Sequence, residues 1–259
     1  MTEHPKPMRL MVIGAHPDDA EFHAGGLMSR WTAAGHELMI LCLTDGAAGH
    51  HQLDPQSLKS IRQNEAYAAA RLLDAEVNIW PVADGELEPT VALRHKLIGT
   101  IRRYAPDLIV THRSADYHPD HRAAAQLVQD ASYLLQVPNI VPEHPPLVTV
   151  PPVLLAWDRF TYPRAFRADW VLDTSAVVDR VVDLLDCHAS QVYEWLPHTQ
   201  KLNVPDGDRL VWLKTWYVQR PAHIAKQYAP EQVNYAEAYE ISEYAGRFDA
   251  TLFSLPAQP

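Results

Sequence analysis

The stretch RLMVIGAHPDDAEFHAGG, residues 9–26, joins a continuous apolar run to a cluster of histidines and carboxylates. The run RLMVIGA, residues 9–15, is typical of a strand that is buried on both faces. Two histidines and two adjacent aspartates follow it, and neighbouring carboxylates repel each other unless a positive group lies between them. The stretch therefore predicts a buried strand whose carboxyl end holds something positive.

The rest of the N-terminal half alternates short β-rich runs with helix-length amphipathic segments. The β-rich runs lie at residues 36–44, 75–80 and 106–113, and the helical segments at 25–35, 57–73, 90–105 and 119–135. This alternation predicts an α/β protein with a Rossmann-like, mostly parallel sheet and helices on both faces. Ligands of such sheets bind beyond the carboxyl ends of the strands, so we expect the functional site at that edge.

The second half of the chain is less regular. Residues 138–152 hold six prolines, which favours an extended surface connection. The elements that follow are two strands and a long helix, at residues 153–157, 169–173 and 175–196. The candidates for the N-cap of this helix are Asp173, Thr174 and Ser175. With no repeat or low-complexity segment, we expect a single domain over 1–259, with its core at about 8–137 and a C-terminal elaboration at 138–259.

Composition narrows the class of protein. With 259 residues, 47% of them hydrophobic, the chain can bury a sizeable core, and no stretch approaches the roughly 18 apolar residues of a membrane span. The net charge of −10 argues against a nucleic-acid partner, because phosphate backbones are bound by basic patches. The first apolar run is short for a secretory signal, and Cys42 and Cys187 are typical of reduced thiols. We expect a cytoplasmic protein that acts on a small molecule, and a homo-oligomer stays open.

A second cluster of histidines and carboxylates, DYHPDHR at residues 116–122, follows the predicted strand 106–113. Pro119 suits the first turn of the helix after it. Both clusters therefore lie at the carboxyl ends of strands and can converge on one cation. Imidazole and carboxylate ligands without thiolates suit a catalytic zinc, or a similar divalent metal, that keeps one position open for water.

The spacing of these residues allows a triad of two histidines and one carboxylate. His16 and Asp19 are three residues apart around a tight turn, so both can reach one metal, and a histidine of the second cluster can complete the set. Asp18 is adjacent to a ligand and is free to take a proton from water. The competing interpretation is a solvated turn at HPDD and a helix N-terminus at HPDH, where Asp120 favours the helix dipole.

AHPDDAE together with HPDH resembles the PIG-L/LmbE-like family of zinc-dependent deacetylases. The resemblance extends to TDGAAGH (44–50), RQNEAYAAARLL (62–73) and CHASQ (187–191), and so covers most of the chain. It implies an enzyme that removes the acetyl group from an N-acetylglucosamine-type amino sugar or its conjugate. The implied cofactor is Zn²⁺, with Fe²⁺, Mn²⁺ or Co²⁺ as alternatives.

The resemblance also implies roles for individual residues. Carried over position by position, it implies His16, Asp19 and His121 as metal ligands and Asp18 as the general base. An alanine follows HPDD where many relatives carry an acidic residue, and this departure removes no metal ligand.

Four further residues follow from the same resemblance. His118 would stabilise the tetrahedral intermediate or protonate the leaving amine, and Asp120 would orient it. Arg62 matches an arginine near the substrate, and a surface ion pair with Glu65 is the competing interpretation. Tyr117 directly precedes His118, whereas some relatives place a tyrosine one position earlier, and we expect it near the substrate as a possible oxyanion contact.

Two other functions stay open at this point. An amidase that acts on a larger acyl or thiol conjugate would differ in the depth of its cleft. A noncatalytic metal-binding or nucleotide-binding module is less favoured, because the first strand leads into HPDDAE rather than G-x-G-x-x-G. Several polar residues near the motifs and loops have no assigned role: Asp45, Arg159, Arg164, Arg167, His188 and Gln191.

Overall fold

The computed structural model of the chain describes residues 6–253. The strands within that range are β1 Arg9–Gly14, β2 Glu37–Cys42, β3 Glu76–Ile79, β4 Leu108–Thr111, β5 Val153–Ala156, β6 Trp170–Asp173 and β7 Ala236–Ile241. The α-helices are α1 Asp19–Ala33, α2 Pro55–Leu72, α3 Val91–Tyr104, α4 Pro119–Ser132, α5 Val178–Asp186, α6 Leu196–Gln200, α7 Arg209–Tyr217 and α8 Gln219–Tyr228.

The strands form one sheet in the order β3-β2-β1-β4-β5-β7-β6. Strands β1 to β5 pair in parallel, and β7 runs antiparallel to both β5 and β6. The predicted α/β class and mostly parallel sheet are confirmed, whereas β7 was not predicted. Strands β1 and β4 are neighbours at the point where the strand order reverses, and their carboxyl ends border the crevice in which such sheets bind ligands.

Helices cover both faces of the sheet, as predicted. Met11 and Ile13 of β1 pack on one face with side chains of α3 and α4, and the alternate residues Leu10 and Val12 pack on the other face with α1. All four side chains are buried, and each contributes about 1.5–3 kcal/mol to folding. This double burial explains why β1 is apolar at every position after Arg9 rather than at alternate ones.

Helix α1 begins earlier than predicted. The sequence pattern indicated a helix at 25–35, whereas the structure begins it at Asp19 and has an irregular backbone at Ala24. The extra first turn carries Asp19 and Glu21. Both side chains are buried and each lies close to a histidine, Asp19 to His121 and Glu21 to His188. Because apolar periodicity does not record polar burial, the pattern detected only the part of the helix after Ala24.

The long helix predicted at 175–196 is wrong. Helix α5 ends at Asp186, and a π-helical segment, Ser190–Trp195, separates it from α6. The backbone N–H and the hydroxyl of Ser190 both donate to the Glu65 carboxylate at 2.7 Å, and this contact stands outside the α-helical hydrogen-bond ladder. The predicted caps are also wrong, because α5 begins at Val178 and has no side-chain cap.

The proline-rich connection at 138–152 contains no helix or strand, as expected. Arg102 of α3 fixes its first part, because the guanidinium donates to the carbonyl oxygens of Ile140, Val141 and His144 at 2.6–3.0 Å.

Among the described helices, none is long and apolar enough to cross a membrane.

Candidate active site

The two motifs meet around Asp19, in the crevice between β1 and β4. Its carboxylate lies 3.4 Å from Nδ1 of His16 and 3.3 Å from Nε2 of His121. A third imidazole, that of His112, lies 3.2 Å away and stacks on the His121 ring with 4.0 Å between centroids. The structure thus brings together the three side chains predicted as metal ligands, and all three are buried.

A tight turn after β1 positions Asp19. Its Oδ2 accepts the backbone N–H of His16 at 2.7 Å, and the preceding Asp18 has a φ of 122°. This left-handed backbone is strained for a residue other than glycine. The turn also leaves no space for a side chain at Gly14, because a Cβ at this position would lie 2.8 Å from that of Asp19.

Carboxylates support the two ligand histidines from behind. Nε2 of His16 lies 3.1 Å from Asp84 and 3.2 Å from Asp120, and Nδ1 of His121 lies 3.2 Å from Asp116. The opposite nitrogen of each ring therefore points to Asp19. Carboxylates in this position orient metal-binding histidines and raise their basicity.

The donor set fits a divalent cation. Two imidazole nitrogens and one carboxylate form the usual protein ligands of a catalytic zinc. Burial lowers the pKa of His16, but its contacts with Asp120, Asp19 and Asp84 outweigh burial and hold the pKa well above its usual value. Burial likewise lowers the pKa of His121, and the nearby Asp19 and Asp116 raise it to about 9. A cation would compete with protons for these nitrogens.

Asp120 has a different partner from the one expected. Its carboxylate contacts His16 and accepts the backbone N–H groups of Gly85 at 2.7 Å and Leu87 at 3.2 Å. Towards His118 it offers only its backbone N–H, which donates to Nδ1 at 3.2 Å. The expectation that the Asp120 side chain orients His118 is therefore corrected. The Asp120 side chain, in the first turn of α4, contacts the segment after β3 instead, and His118 is the N-cap of α4.

Asp18 is paired with Arg62. The guanidinium lies 3.1 Å from the Asp18 carboxylate and donates to the carbonyl oxygens of Gly46 at 2.9 Å and Pro17 at 2.5 Å. Burial raises the pKa of Asp18 to about 6, against the opposing effect of Arg62. The alternative of a surface ion pair with Glu65 is wrong, because Arg62 is buried and Glu65 accepts from Ser190.

His118 and Tyr117 lie at the opening of the site. The His118 ring is 4.6 Å from that of His16 and 5.0 Å from that of His121, measured between centroids. Burial and the neighbouring His16 and His121 lower the pKa of His118. Tyr117 packs edge-on against His118 at 5.6 Å and is 69% exposed, so it lies at the rim.

The site opens into a cleft of about 1070 Å³. Besides the motif residues, its wall includes Arg159, Gln191, Trp195 and Arg220, all from the second half of the chain. Of the residues without an assigned role, Gln191 also donates to the carbonyl oxygen of Gly49 at 3.2 Å.

The other unassigned residues have structural contacts. Arg164 pairs with Glu240 at 2.8 Å, and Arg167 pairs with Asp169 at 2.6 Å. His188 is buried, 3.5 Å from Glu21. Asp45 is 3.1 Å from Lys59 and accepts the backbone N–H groups of Ala47 and Asp84. These contacts account for their positions by packing and ion pairing.

Sequence reasoning missed Asp84, His112 and Asp116. Each follows a strand end closely: Asp84 follows β3, which ends at Ile79, and the other two follow β4, which ends at Thr111. A search for polar residues just past every predicted parallel strand would have found Asp84 and Asp116, whereas His112 lies inside the strand predicted at 106–113 and past the end of the observed β4.

These features define a class of protein: an α/β protein with a carboxylate-supported histidine and aspartate centre at the switch point of its sheet. Residues 11–132 match the family model described as PIG-L: GlcNAc-PI de-N-acetylase. This segment includes both motifs, and the match covers a little under half of the chain.

Similarity to characterised proteins extends beyond that segment. The chain is 27% identical over 198 residues to a 4-oxalmesaconate hydratase of Pseudomonas putida, covering 73% of this chain and 76% of the hydratase. It is 28% identical over 137 residues to a diacetylchitobiose deacetylase of Thermococcus kodakarensis, covering 51% of each. The fold resembles that of the N,N'-diacetylchitobiose deacetylase of Pyrococcus horikoshii, with a TM-score of 0.75 and 22% identity over 92% of this chain and 85% of that one.

Proposed function

We propose that this chain is a metal-dependent hydrolase that removes the acetyl group from an N-acetylated amino sugar or its conjugate. The observation that carries the proposal is the convergence of His16, Asp19 and His121, with Asp18 and His118 beside them, at one end of the sheet. Hydrolysis of an amide needs an activated water, a polarised carbonyl and a proton for the amine, and this arrangement supplies groups for each.

His16, Asp19 and His121 would hold the cation, for which zinc is our first choice. A divalent cation supplies Lewis acidity towards the amide carbonyl and towards water. Asp18 takes the proton of the attacking water and passes it to the leaving amine. Arg62 holds one oxygen of the Asp18 carboxylate at 3.1 Å and fixes its direction.

His118 stabilises the developing oxyanion. Its Nδ1 accepts the backbone N–H of Asp120, so in the neutral ring the proton is on Nε2. A fixed N–H donor at this position can bind negative charge that develops on the carbonyl oxygen. Of the two roles expected for His118, we favour this one over protonation of the amine. Tyr117, at the rim, contacts the part of the substrate that remains outside.

The test is a panel of N-acetylated amino sugars, free, phosphorylated and glycosidically linked, assayed for acetate with the zinc-loaded protein. We expect acetate from at least one compound, and loss of most of that activity in Asp18→Asn. Longer acyl amides on the same panel test the amidase alternative. A folded, metal-loaded protein that releases acetate from none of them would refute the proposed activity.

A hydratase is the second candidate, because a hydratase relative is 27% identical to this chain over 73% of its length. Addition of water to an unsaturated acid uses the same water-activating groups and needs no leaving amine. Cationic side chains in the cleft, Arg159 and Arg220 among them, suit an acidic substrate. Loss of conjugated absorbance from an unsaturated dicarboxylate, without acetate release from the amide panel, would favour this candidate.

We also propose that the protein acts in the cytoplasm. Its two cysteines, Cys42 and Cys187, are not joined in a disulfide, which is typical of a reducing compartment. Separation of cell fractions followed by immunodetection would test this, and recovery of the protein outside the cytoplasm would refute it.

A further inference from the structure

Arg220, in the first turn of α8, faces the cleft in an unusual electrostatic setting. Its Nη2 donates to Nδ1 of His23 at 2.7 Å and to the carbonyl oxygen of Trp157 at 2.9 Å, and the guanidinium lies 5.3 Å from the centre of the Trp157 ring. Both hydrogen-bond acceptors are neutral. Within residues 6–253, no carboxylate oxygen lies within 4.0 Å of its guanidinium nitrogens.

Arg159, which also lines the cleft, is exposed to water, whereas three other arginines are paired with carboxylates of the chain. Arg62 pairs with Asp18, Arg164 pairs with Glu240, and Arg113 pairs with Asp158 at 2.8 Å. Arg220 is half-buried, and a guanidinium that is partly removed from water without a counter-ion is costly, because buried charges are normally paired. Burial accordingly lowers the pKa of Arg220.

The nearby carboxylate of Glu237 is already engaged. It accepts the backbone N–H groups of Gly26 at 2.6 Å and Leu27 at 2.9 Å, together with the Tyr239 hydroxyl at 2.7 Å. These donors direct Glu237 towards α1 and β7. The described residues 6–253 therefore supply no carboxylate in direct contact with Arg220, although the protein has a net charge of −10.

His23 connects Arg220 to the candidate metal site. Its ring lies 5.1 Å from that of His112 and 6.3 Å from that of His121, measured between centroids. Because Nδ1 accepts from Arg220, the proton of the neutral ring is on Nε2, which can donate to a ligand. Both His23 and Arg220 line the same cleft as the metal-site residues, so one ligand can reach both places.

We propose that Arg220 and His23 form a subsite that binds an anionic group of the substrate, a carboxylate or a phosphate. The inference rests on the proposed function, which places the reacting amide bond at the candidate metal site. The anionic group would lie a few bonds away from that amide. The inference deepens the proposal by naming the substrate class: an acidic conjugate of an N-acetylated amino sugar rather than a neutral sugar. Guanidinium and imidazole N–H groups together bind such anions through charge-assisted hydrogen bonds.

The first test compares three N-acetylglucosamine glycosides: one with a carboxymethyl group, the same compound as its neutral amide, and one with a phosphate. We expect the wild-type protein to prefer an anionic compound. Arg220→Gln should lower kcat/KM for that compound by about 10- to 100-fold, the effect of losing a charged hydrogen bond, and leave the neutral amide almost unchanged. Comparison of the two anionic compounds shows whether carboxylate or phosphate is bound.

Two further variants and one binding measurement complete the design. Arg220→Lys retains the charge and should retain part of the preference. Arg103→Gln removes an equal charge from an exposed position on α3 and should leave kcat/KM unchanged for all three compounds. Titration of succinate and of inorganic phosphate into wild-type protein and Arg220→Gln, both checked for folding by circular dichroism, measures anion binding without turnover.

The outcomes separate this proposal from the proposed function. If no compound releases acetate but Arg220→Gln loses binding of succinate or phosphate by tenfold or more, the anion subsite stands and the deacetylase does not. If the folded variant binds both anions as tightly as the wild type, or keeps the full preference for an acidic compound, the subsite is refuted.

Discussion

Replacing Asp120 by Asn tests the site at the position where the structure differs from the sequence-based expectation. The carboxylate supports His16 from behind, with 3.2 Å between Oδ2 and Nε2. The substitution preserves the shape but removes the charge. Loss of such a supporting carboxylate weakens metal binding by about 10- to 100-fold, which corresponds to about 1.4–2.8 kcal/mol.

Asp120→Asn also affects folding. The carboxylate accepts two backbone N–H groups, from Gly85 and Leu87, and Asn has only one acceptor oxygen. One of these donors then loses its partner; if it is the buried N–H of Leu87, we expect the free energy of unfolding to fall by about 1–3 kcal/mol. Zinc affinity should be measured by competition with a chromogenic chelator, well below the Tm of the variant, and Tm by calorimetry.

The control is Asp130→Asn, which removes the same charge from the exposed side of the same helix, where Asp130 pairs with Arg94. It should change neither zinc affinity nor turnover. If Asp120→Asn bound zinc as tightly as the wild type and lost only kcat, Asp120 would act through His118, as the sequence suggested. Our account of its role would then be refuted.

Other predictions concern single groups. The purified protein should contain about one divalent cation per chain, measured by elemental analysis, and His121→Ala should lose it; full metal content in that variant would refute the ligand assignment. Asp18→Asn should keep the metal and lose most turnover, and unchanged acetate release would exclude Asp18 as the base. His118→Ala should lower kcat by about 10²- to 10³-fold with the metal retained, whereas loss of metal would identify His118 as a ligand. Gly46→Ala should lower Tm and activity together, because φ is +66° and its Cβ would lie 2.7 Å from Nη1 of Arg62; a fully stable, active variant would contradict this reasoning.

Much of the sheet could be predicted because its signals are local. Strands β1, β2 and β4 are buried on both faces, so apart from one polar residue at an end of each strand their sequences are apolar and easily recognised. Their parallel order then places both motifs at one edge. Strand β7, Ala236–Ile241, is different: it pairs antiparallel with β5 and β6, and its alternating pattern includes the buried carboxylates Glu237 and Glu240. Two carboxylates make a core strand difficult to recognise from the sequence, since Gly26, Leu27 and Arg164, which contact them, are remote in sequence.

The same limit applies to the site. The spacing of His16, Asp19 and His121 could be interpreted from the chain because each lies in a short motif beside a strand end. The support for His16 could not, because Asp84 lies in a loop after β3 and contacts it only in the folded chain. The broken helix also depends on a distant contact, since Glu65 on α2 binds Ser190. Local patterns thus indicate candidate ligands better than they indicate the groups that orient them.

The candidate metal site and the far wall of the cleft come from different parts of the chain, which is consistent with its similarity to both a deacetylase and a hydratase. The candidate metal ligands, Asp18 and their supporting carboxylates all lie within residues 11–132, the segment that matches the family model. The far wall of the cleft comes from later residues, among them Trp195 and Arg220. Activation of water is common to both reactions, so the matched segment can serve either. We therefore expect substitutions of cleft residues after 132, such as Arg220, to change which substrate is used without changing metal content, and substitution of His16, Asp19 or His121 to remove the metal.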